Sequence, residues 1–479
     1  MTKTRGNSPS RRNFLRTSVA AGAAFTVTGA TVNAVFPSVI PEKMVFEANH
    51  SHWACALPPA NLALQEDIET DIAVIGGGFT GLSAAYYLKE NWGKDRVVLL
   101  EAARCGNGAS GRNGAMLLTA TEDRYMEPSE DPGLDKRIYD LTVDNSRRLI
   151  ALSSQLKFDT EIELNGALQM CNSRELADRG RRYIGIARRT GLPLEFWDQQ
   201  KIAAAIGTLA YPGALFDPNS GQLHPGKLVG LFKVAAISVG AEIYEGCPVV
   251  HVQEGEWITL TTANGKTVRA RSVILATNAY TSKLGYLREA ITPVFDYVGI
   301  TAPFTEMRLA QIGWISRIPF NDSRTEVFYL GLTRDNRIHI GGGPVDYVFN
   351  NGIKEPPGAE HRFEILRAEL ARIFPALKGE PFETTWSGAV DMSIDQSSSV
   401  GQMGKHGNIF YAIGFSGHGV NLSSVFGRIL ADLVHGKIKD WTWLPYLNRM
   451  PPYIPNEPFR WIGVQAALQY YRLTDPKLP

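Results

Sequence analysis

The sequence predicts a Rossmann-type α/β nucleotide-binding domain combined with an interleaved α+β domain that contains an antiparallel sheet. Two observations predict the first domain: a glycine-rich turn at 76–81 directly follows the apolar run 71–75, and Glu101 ends a second apolar run. A third observation predicts the other domain, because strand-like stretches at 161–171 and 292–343 lie between the nucleotide-binding segments along the chain.

The composition excludes several classes of protein. A chain of 479 residues with 44% hydrophobic and 20% charged residues can bury a large core, so it is neither a disordered chain nor a fibrous repeat. The formal charge is only +1, from 49 basic and 48 acidic residues, and lacks the broad positive field of a nucleic-acid-binding protein. We therefore expect a small-molecule partner and no nucleic acid.

Neither the cysteines nor the histidines predict a disulfide framework or a metal site. The 4 cysteines are too few for a disulfide scaffold, and none forms a Cys-x-x-Cys pair. His50 and His52 lie close together, but no nearby carboxylate or third ligand completes a metal site. We therefore predict no metal.

The first 34 residues have the composition of a signal peptide. They contain five basic residues and no acid, then a mildly apolar stretch at 18–32 and small residues near position 34. Residues 10–16, Ser-Arg-Arg-Asn-Phe-Leu-Arg, resemble the twin-arginine export motif, with Arg16 in place of its preferred lysine. The resemblance implies the twin-arginine export machinery as a partner and a periplasmic or exported location, with membrane association left open. A disordered basic tail is the alternative.

The glycine turn suits a dinucleotide. Gly76 makes the tight turn, Gly78 lets a pyrophosphate approach the backbone, and Gly81 lets the following helix pack closely on the strand. The helix N-terminus supplies N–H groups for the phosphates, and Glu101 would accept hydrogen bonds from an adenosine ribose while repelling the 2′-phosphate of NADP. A glycine turn without a ligand is the alternative. The predicted contacts here are Gly76, Gly78, Phe79, Thr80, Gly81, Glu101 and Ala102.

A loop rich in glycine and polar residues follows at 104–115. Such a bare backbone can lie against a flat, polar ring system and offer N–H donors to it, although a flexible surface loop would have the same composition. The dinucleotide could be NAD or FAD. The sequence of this loop favours FAD, because it resembles a segment of a known family.

The glycine turn, Glu101 and the run Gly-Ala-Ser-Gly-Arg-Asn-Gly at 108–114 resemble the FAD-dependent D-amino acid oxidase superfamily. The chain is most similar in its motifs to the gamma-glutamylputrescine oxidoreductase branch, which is related to sarcosine and glycine oxidases. Two further segments match in order and spacing: a strand with a small-residue turn at 272–280, and a strand at 408–413 that leads to the turn Gly-Phe-Ser-Gly-His-Gly at 414–419 and a helix. The resemblance covers about residues 45–475.

The resemblance implies FAD as the cofactor, and implies which residues hold it. The turn at 414–419 would face the pyrimidine edge of the flavin, where the following helix N-terminus can stabilise negative charge. Sarcosine oxidases attach their flavin through a cysteine, and the corresponding stretch 386–395 contains none, so we expect noncovalent FAD. The further implied contacts are Gly108, Ala109, Ser110, Arg112, Asn113, Gly114, Val249, Ala276, Gly414, Ser416, Gly417, His418 and Gly419.

The implied reaction is oxidation of the carbon–nitrogen bond of an amine or amino acid, by hydride transfer to flavin N5 and hydrolysis of the imine. His224, in a Leu-His-Pro segment that begins a helix, and His418 are the candidate catalytic residues, with capping or packing roles as the alternative. Tyr297, Tyr329 and Trp386 are candidates for lining the pocket, although aromatic residues on strands are more often core.

The electron acceptor and the functional class stay open. The family's oxygen-activating lysine has no counterpart near residues 300–308, so oxygen, a quinone and a redox protein are all acceptor candidates. One alternative function is a membrane-associated flavin amino-acid deaminase or dehydrogenase that passes electrons to quinone. The other is a non-catalytic nucleotide-binding protein.

The predicted organisation of the chain follows from these segments. We expect a signal peptide at 1–34, an N-terminal extension at 35–66, a discontinuous FAD-binding domain at 67–160, 215–290 and 376–440, a substrate domain at 161–214 and 291–375, and a C-terminal extension at 441–479. A helical apolar stripe at 458–475 is expected to dock on the body of the protein.

Overall fold

A computed structural model describes residues 46–119 and 131–475 of the chain. The predicted signal peptide at 1–34 lies outside the described residues, as do residues 120–130 within the predicted FAD-binding domain. The described residues form two eight-stranded sheets, a two-stranded ribbon and nine α-helices.

The elements are numbered in chain order. The strands are β1 Ile68–Ile75, β2 Val97–Leu100, β3 Met116–Leu117, β4 Ala167–Met170, β5 Glu195–Asp198, β6 Gly213–Asp217, β7 Gly221–Gln222, β8 Glu242–Tyr244, β9 Val249–Gln253, β10 Ile258–Thr262, β11 Thr267–Leu275, β12 Thr292–Thr301, β13 Phe320–Asp322, β14 Phe328–Leu332, β15 Ile338–Gly342, β16 Phe382–Met392, β17 Ser399–Met403 and β18 Ile409–Ile413. The helices are α1 Phe79–Trp92, α2 Pro132–Leu156, α3 Arg174–Arg189, α4 Gln199–Ile206, α5 Pro225–Ser238, α6 Glu306–Ile312, α7 Glu360–Ile373, α8 Gly419–Val434 and α9 Phe459–Thr474.

The first sheet is the predicted nucleotide-binding sheet. Its strands lie in the order β17-β18-β11-β1-β2-β8, and the antiparallel strands β10 and β9 continue from β11. Strands β8, β2, β1, β11 and β18 run parallel, so their carboxyl ends meet at one edge, where α/β proteins bind ligands. Helix α1 packs against both α5 and α8 and covers the buried strands β1 and β2.

The second sheet has the order β16-β12-β15-β14-β13-β4-β6-β5. Its neighbouring strands are antiparallel, except that β4 and β13 are parallel. Helix α7 packs on β12 and β15, and the stacked rings of Trp314 and Phe374 lie beside Phe320 in the core of this domain. The predicted fold class, a Rossmann-type domain with an interleaved and mainly antiparallel substrate domain, is confirmed.

The sheets divide the chain differently from the predicted boundaries in two places. Strand β16 was expected in the FAD-binding domain at 376–440, but it pairs along its length with β12 of the second sheet. Strand β6 crosses the boundary at 215 and also belongs to the second sheet. Both strands are followed closely by segments of the first domain, and the sequence does not show which sheet an isolated apolar strand joins.

The C-terminal extension contains the predicted helix, α9, over Phe459–Thr474. Two carboxylates hold the ends of this region: Glu457 accepts from Asn350 N at 2.9 Å, and Asp475 accepts from Thr325 N and Glu326 N at 2.9 and 2.8 Å. Across residues 46–119 and 131–475, no helix has the length and apolar character needed to cross a membrane.

A buried ion pair joins the N-terminal extension to the first domain. Lys233 Nζ on α5 lies 2.5 Å from Glu245 Oε2 and donates to Pro59 O at 2.6 Å, and the two side chains are 3% and 1% exposed. The other oxygen, Glu245 Oε1, accepts from Cys105 N at 2.6 Å. Because both charges are removed from water, loss of one partner leaves the other buried without compensation.

Substitution Lys233→Met should therefore lower the free energy of unfolding by about 3 kcal/mol, as measured by urea denaturation. The control is Lys136→Met, which breaks the exposed pair with Asp140 and should cost less than about 1 kcal/mol. Equal small losses in both variants would show that the buried pair has no special role.

Candidate active site

A cavity of about 1260 Å³ lies between the carboxyl edge of the first sheet and one face of the second. Its floor is formed by alternate residues of the paired strands β12 and β16, which share one face because side chains alternate along a strand. These floor residues are Thr292, Val294, Asp296, Val298, Gly388, Val390 and Met392. The volume exceeds that of a typical small-molecule pocket, so there is room for a dinucleotide beside a substrate.

The glycine turn after β1 forms one part of the wall. A Cβ at Gly76 would lie 2.5 Å from Ala276 O, and Gly76 has φ +110°, so only glycine fits here. A Cβ at Gly78 would lie 2.8 Å from Ser110 Oγ, which accepts from Phe79 N at 2.9 Å. The turn is thus bare backbone that faces the cavity, as close contact with a pyrophosphate requires.

Glu101 stands at the end of β2 beside this turn. Its Oε2 accepts from Gly77 N at 2.7 Å and its Oε1 from Ala103 N at 2.9 Å. Desolvation raises the pKa of Glu101, and these N–H groups oppose that rise. The carboxylate is therefore fixed where the ribose of a dinucleotide lies relative to the glycine turn.

The loop at 106–114, here named the cofactor loop, is held by the N-terminal segment 46–53. Asn49 Nδ2 donates to Gly106 O at 3.2 Å and to Gly111 O at 2.9 Å, and Ser51 Oγ donates to Gly111 O at 2.6 Å. Arg112 donates to backbone carbonyls of the same segment and to Ser387 O at 3.0 Å. The N-terminal extension is therefore part of the site.

Three aromatic rings hold consecutive carbonyls of the cofactor loop. Trp386 Nε1 donates to Arg112 O at 2.8 Å, and Trp53 Nε1 donates to Asn113 O at 2.9 Å. His339 Nε2 lies 3.1 Å from Gly114 O. Burial lowers the pKa of His339 to about 4, so the ring is neutral, and its Nε2 carries the proton because a carbonyl oxygen can only accept.

Asp391, at the end of β16, holds the turn that opens α8. Its Oδ2 accepts from Gly414 N at 2.6 Å and its Oδ1 from Phe415 N at 3.2 Å, while its own carbonyl accepts from Ser416 N at 3.1 Å. Burial raises the pKa of Asp391 to about 7, against the opposing effect of the N–H groups. A strand of the second sheet thereby fixes a turn of the first domain.

The turn leaves open space in front of Gly417, where a Cβ would meet no protein atom within 4 Å. Gly417 has φ +90° and lines the cavity, followed by His418 and the first residue of α8. A planar ring could therefore approach the backbone closely at the positive end of the helix dipole.

Most of the predicted cofactor-binding residues line the cavity. They are Gly76, Gly78, Phe79, Thr80, Glu101, Ala102, Gly108, Ala109, Ser110, Arg112, Asn113, Gly114, Val249, Ala276, Ser416, Gly417, His418 and Gly419. Gly81 and Gly414 lie outside this lining. A Cβ at Gly81 would lie 1.9 Å from Gly76 O, so Gly81 permits close packing of α1, whereas Gly414 has φ +72°, a backbone conformation that favours glycine.

The structure does not bring His224 to the cavity. It caps α5, where its Nδ1 accepts from Lys227 N at 3.4 Å, and its ring contacts Trp53 edge-on at 5.1 Å. Burial lowers its pKa to about 4. The capping interpretation therefore applies, whereas the other catalytic candidate, His418, does line the cavity.

The three aromatic residues that were candidates for lining the pocket differ in their position relative to the cavity. Tyr329 lines the cavity and donates to Asp296 Oδ2 at 2.7 Å. Trp386 lies behind the cofactor loop, and Tyr297 points to the other face of β12, where it donates to Asp346 at 2.9 Å. Of the three, only Tyr329 can touch a ligand.

Sequence reasoning missed the two carboxylates on β12 and β16 that line the cavity, Asp296 and Asp391. Desolvation raises the pKa of Asp296, which accepts from Tyr329 and from Tyr297 N at 2.8 Å. For Asp296 the available indication was a single acid within a mainly apolar strand, since such an acid is rarely buried without a partner or a function. Strand β16 contains Glu383 as well as Asp391 and several hydroxyl residues, so it offered no such indication.

The residues present fit FAD. The bare glycine turn and Glu101 suit the adenosine and pyrophosphate part, and the open backbone of the cofactor loop and of the 414–419 turn suits the flavin ring. Among the described residues, no cysteine lines the cavity.

Comparison with known proteins agrees with this fit. The family model of FAD-dependent oxidoreductases, DAO, matches residues 71–433. Gamma-glutamylputrescine oxidoreductase of Escherichia coli is 31% identical over 422 residues, which cover 86% of this chain and 94% of that protein. The probable oxidoreductase OrdL of Haemophilus influenzae is 28% identical over 415 residues, covering 85% and 92%.

A solved structure shows the same fold. The crystal structure of glycine oxidase from Geobacillus kaustophilus has a TM-score of 0.65 and 22% identity, and the match covers 77% of this chain and 95% of that one. Because the family model spans most of the chain and the curated relatives match along nearly their whole length, this chain belongs to the DAO family of FAD-dependent oxidoreductases.

Proposed function

We propose that this protein oxidises the carbon–nitrogen bond of an amine or amino acid with noncovalent FAD, and that Asp296 receives the proton of the substrate nitrogen. The single observation that carries the proposal is the continuity of the cavity. The same space is lined by the dinucleotide turn at 76–80 and by the floor around Asp296. The relatives named above include an enzyme named for an amine and one named for an amino acid, and they support both substrate classes.

When bound, FAD accepts a hydride from the carbon beside the substrate nitrogen. The protein's part is to bind the nitrogen and to supply it in the neutral form, since a protonated amine does not release hydride from its neighbouring carbon. The floor around Asp296 is apolar, with Val294 and Val298 on β12 and Val390 on β16. This surface disfavours an ammonium group, which lowers the substrate pKa.

Asp296 is suited to receive the proton. Its Oδ2 is oriented by the hydroxyl of Tyr329 at 2.7 Å, and desolvation raises its pKa toward that of a useful base. Two other charged side chains of the cavity wall hold the protein's own backbone: Arg112 donates to backbone carbonyls, and Asp391 holds the 414–419 turn. Glu326 also lines the cavity, and burial raises its pKa to about 7, but it lies 3.8 Å from Arg472 of α9. We assign the substrate proton to Asp296 because this residue lies on the floor strand β12 itself.

His418 lies at the start of α8, next to Gly417 and Gly419 in the cavity wall. The helix dipole and the open backbone here favour negative charge on a bound ring. We assign this turn to stabilising the reduced cofactor, with His418 as a contact. Oxygen, a quinone and a redox protein are retained as acceptors, because proteins similar to this chain include a glycine oxidase and, at 25% identity, a D-amino acid dehydrogenase of Methylobacterium radiotolerans.

We also propose export by the twin-arginine route to the periplasm. The support is the order of features within residues 1–34: paired arginines, Phe14-Leu15, an apolar stretch and small residues. This route carries folded proteins, which suits a chain that must bind its cofactor before it crosses the membrane.

The purified protein should be yellow, and heating should release its FAD into the supernatant. An amine or amino acid should bleach the flavin bands under anaerobic conditions, and oxygen or a quinone should restore them. The control is tert-butylamine, which has no hydrogen on the carbon beside nitrogen and should not bleach the flavin. A colourless protein that binds no added FAD would rule out the proposal.

Substitution Asp296→Asn should slow anaerobic flavin reduction about 100-fold at pH 7, since a positioned base contributes at least that factor. In the wild type the rate should fall as pH drops through the raised pKa of Asp296, because only the carboxylate accepts a proton. The variant should recover at alkaline pH, where solution supplies neutral amine. Stopped-flow absorbance measures both profiles.

The matched control for this variant is Asp346→Asn. Asp346 also accepts from a tyrosine, Tyr297, but lies outside the cavity lining, so its substitution should leave the pH profile unchanged. The assignment of Asp296 fails if its variant keeps the wild-type rate and profile.

Substitution of both Arg11 and Arg12 by lysine should retain the protein in the cytoplasm, while the wild type is recovered from the periplasm of an expressing bacterium. Cell fractionation and immunoblotting measure the distribution. Arg5→Lys, a basic change outside the motif, should not alter export, and continued export of the paired variant would refute this route.

A further inference from the structure

The aromatic rings behind the cofactor loop determine how its peptide units are oriented. A planar trans peptide points its C=O and its N–H in opposite directions. The carbonyls of Arg112 and Asn113 point to the indole N–H groups of Trp386 and Trp53. The N–H groups of the same two peptide units, those of Asn113 and Gly114, therefore point away from the indoles.

The opposite side of the loop is the cavity. Asn113 and Gly114 line it, whereas Trp53 and Trp386 lie outside its lining and are 1% and 4% exposed. The two indoles pack on each other with ring centroids 6.0 Å apart, so they form a rigid backing for the loop. The N–H groups of Asn113 and Gly114 are therefore directed into the cavity.

Both N–H groups lack an acceptor within the described part of the chain. The N–H groups just before them in the loop are paired: Gly111 N donates to Gly108 O at 3.1 Å, and Arg112 N donates to Ala109 O at 3.2 Å. Backbone N–H groups in a folded protein are almost always paired. Two adjacent free donors that face a ligand cavity are therefore available for a ligand.

Gly114 cannot be another residue in this arrangement. A Cβ there would lie 2.2 Å from Tyr329 Cε2, so the ring of Tyr329 lies directly against the loop. Tyr329 also orients Asp296. The two free donors and the proposed proton acceptor are thus connected through one tyrosine.

We propose that Trp53 and Trp386 are positioning residues that direct the backbone N–H groups of Asn113 and Gly114 at hydrogen-bond acceptors of the flavin ring. The inference rests on the proposed function only in requiring FAD in the cavity. Donors directed at a ring that gains electron density on reduction stabilise its reduced form, so they raise the reduction potential. Trp53 belongs to the N-terminal extension, which lies before the family match at 71–433.

The test compares Trp53→Phe and Trp386→Phe with the wild type. Each removes one indole N–H and keeps an aromatic ring, so one carbonyl is released and its peptide unit can turn. Each should weaken FAD binding to the apoprotein about ten-fold, lower the reduction potential and shift the visible flavin spectrum. Fluorescence titration, dye-equilibrated reduction and absorbance measure these quantities, and none of them requires turnover.

The matched control is Trp441→Phe. Trp441 is buried to a similar degree and donates to Asp432 at 2.9 Å, but lies outside the cavity lining. It should lose thermal stability without a change of potential or spectrum. If Trp53→Phe does not fold, Trp386→Phe tests the neighbouring peptide unit of the same loop from strand β16.

The inference is overturned if both variants lose stability as Trp441→Phe does but keep the wild-type potential, spectrum and FAD affinity. That outcome would leave the proposed function intact, because the wild type would still bind FAD and be bleached by substrate. A wild type that binds no FAD would refute the proposed function instead.

Discussion

The site depends on a close backbone approach at the end of β1. Helix α1 begins so near the strand that a Cβ at Gly81 would lie 1.9 Å from Gly76 O, and Gly76 in turn lies against Ala276 O, just beyond β11. The ends of β1 and β11 and the start of α1 therefore lie so close together that only glycine, which has no Cβ, fits at these two positions. Any larger residue would displace α1, and with it the N-terminus that the cavity uses.

The second domain contributes more than a substrate surface, because it holds parts of the first domain in place. Asp391 extends from β16 to the turn before α8, and Trp386 on the same strand holds the cofactor loop. The N-terminal segment 46–53 holds this loop from another side. Segments from both sheets and from the N-terminal extension thus meet around one loop of bare backbone.

Local patterns in the sequence predicted part of the site. The glycine turn, Glu101 and the 414–419 turn follow apolar strands directly, so their place at the sheet edge could be inferred from the order of residues alone. Asp296 and Asp391 could not be placed, since their role depends on which distant strands pair and in which register. The sequence offers His224 as a candidate catalytic residue with capping as the alternative, because a histidine before a proline at a helix start suits either role.

Strand β16 also limits how a ligand can enter. It pairs along its length with β12 of the second sheet, and Asp391 near its end is bonded to the first domain. A hinge between the two sheets would leave the pairing of β12 with β16 intact but would break the bonds of Asp391 to Gly414 and Phe415, so these bonds oppose opening by domain rotation. Helix α9 lines the cavity without joining either sheet and is held mainly at its ends. Displacement of this helix would break the bonds of Glu457 and Asp475 near its two ends but none of the pairs between strands.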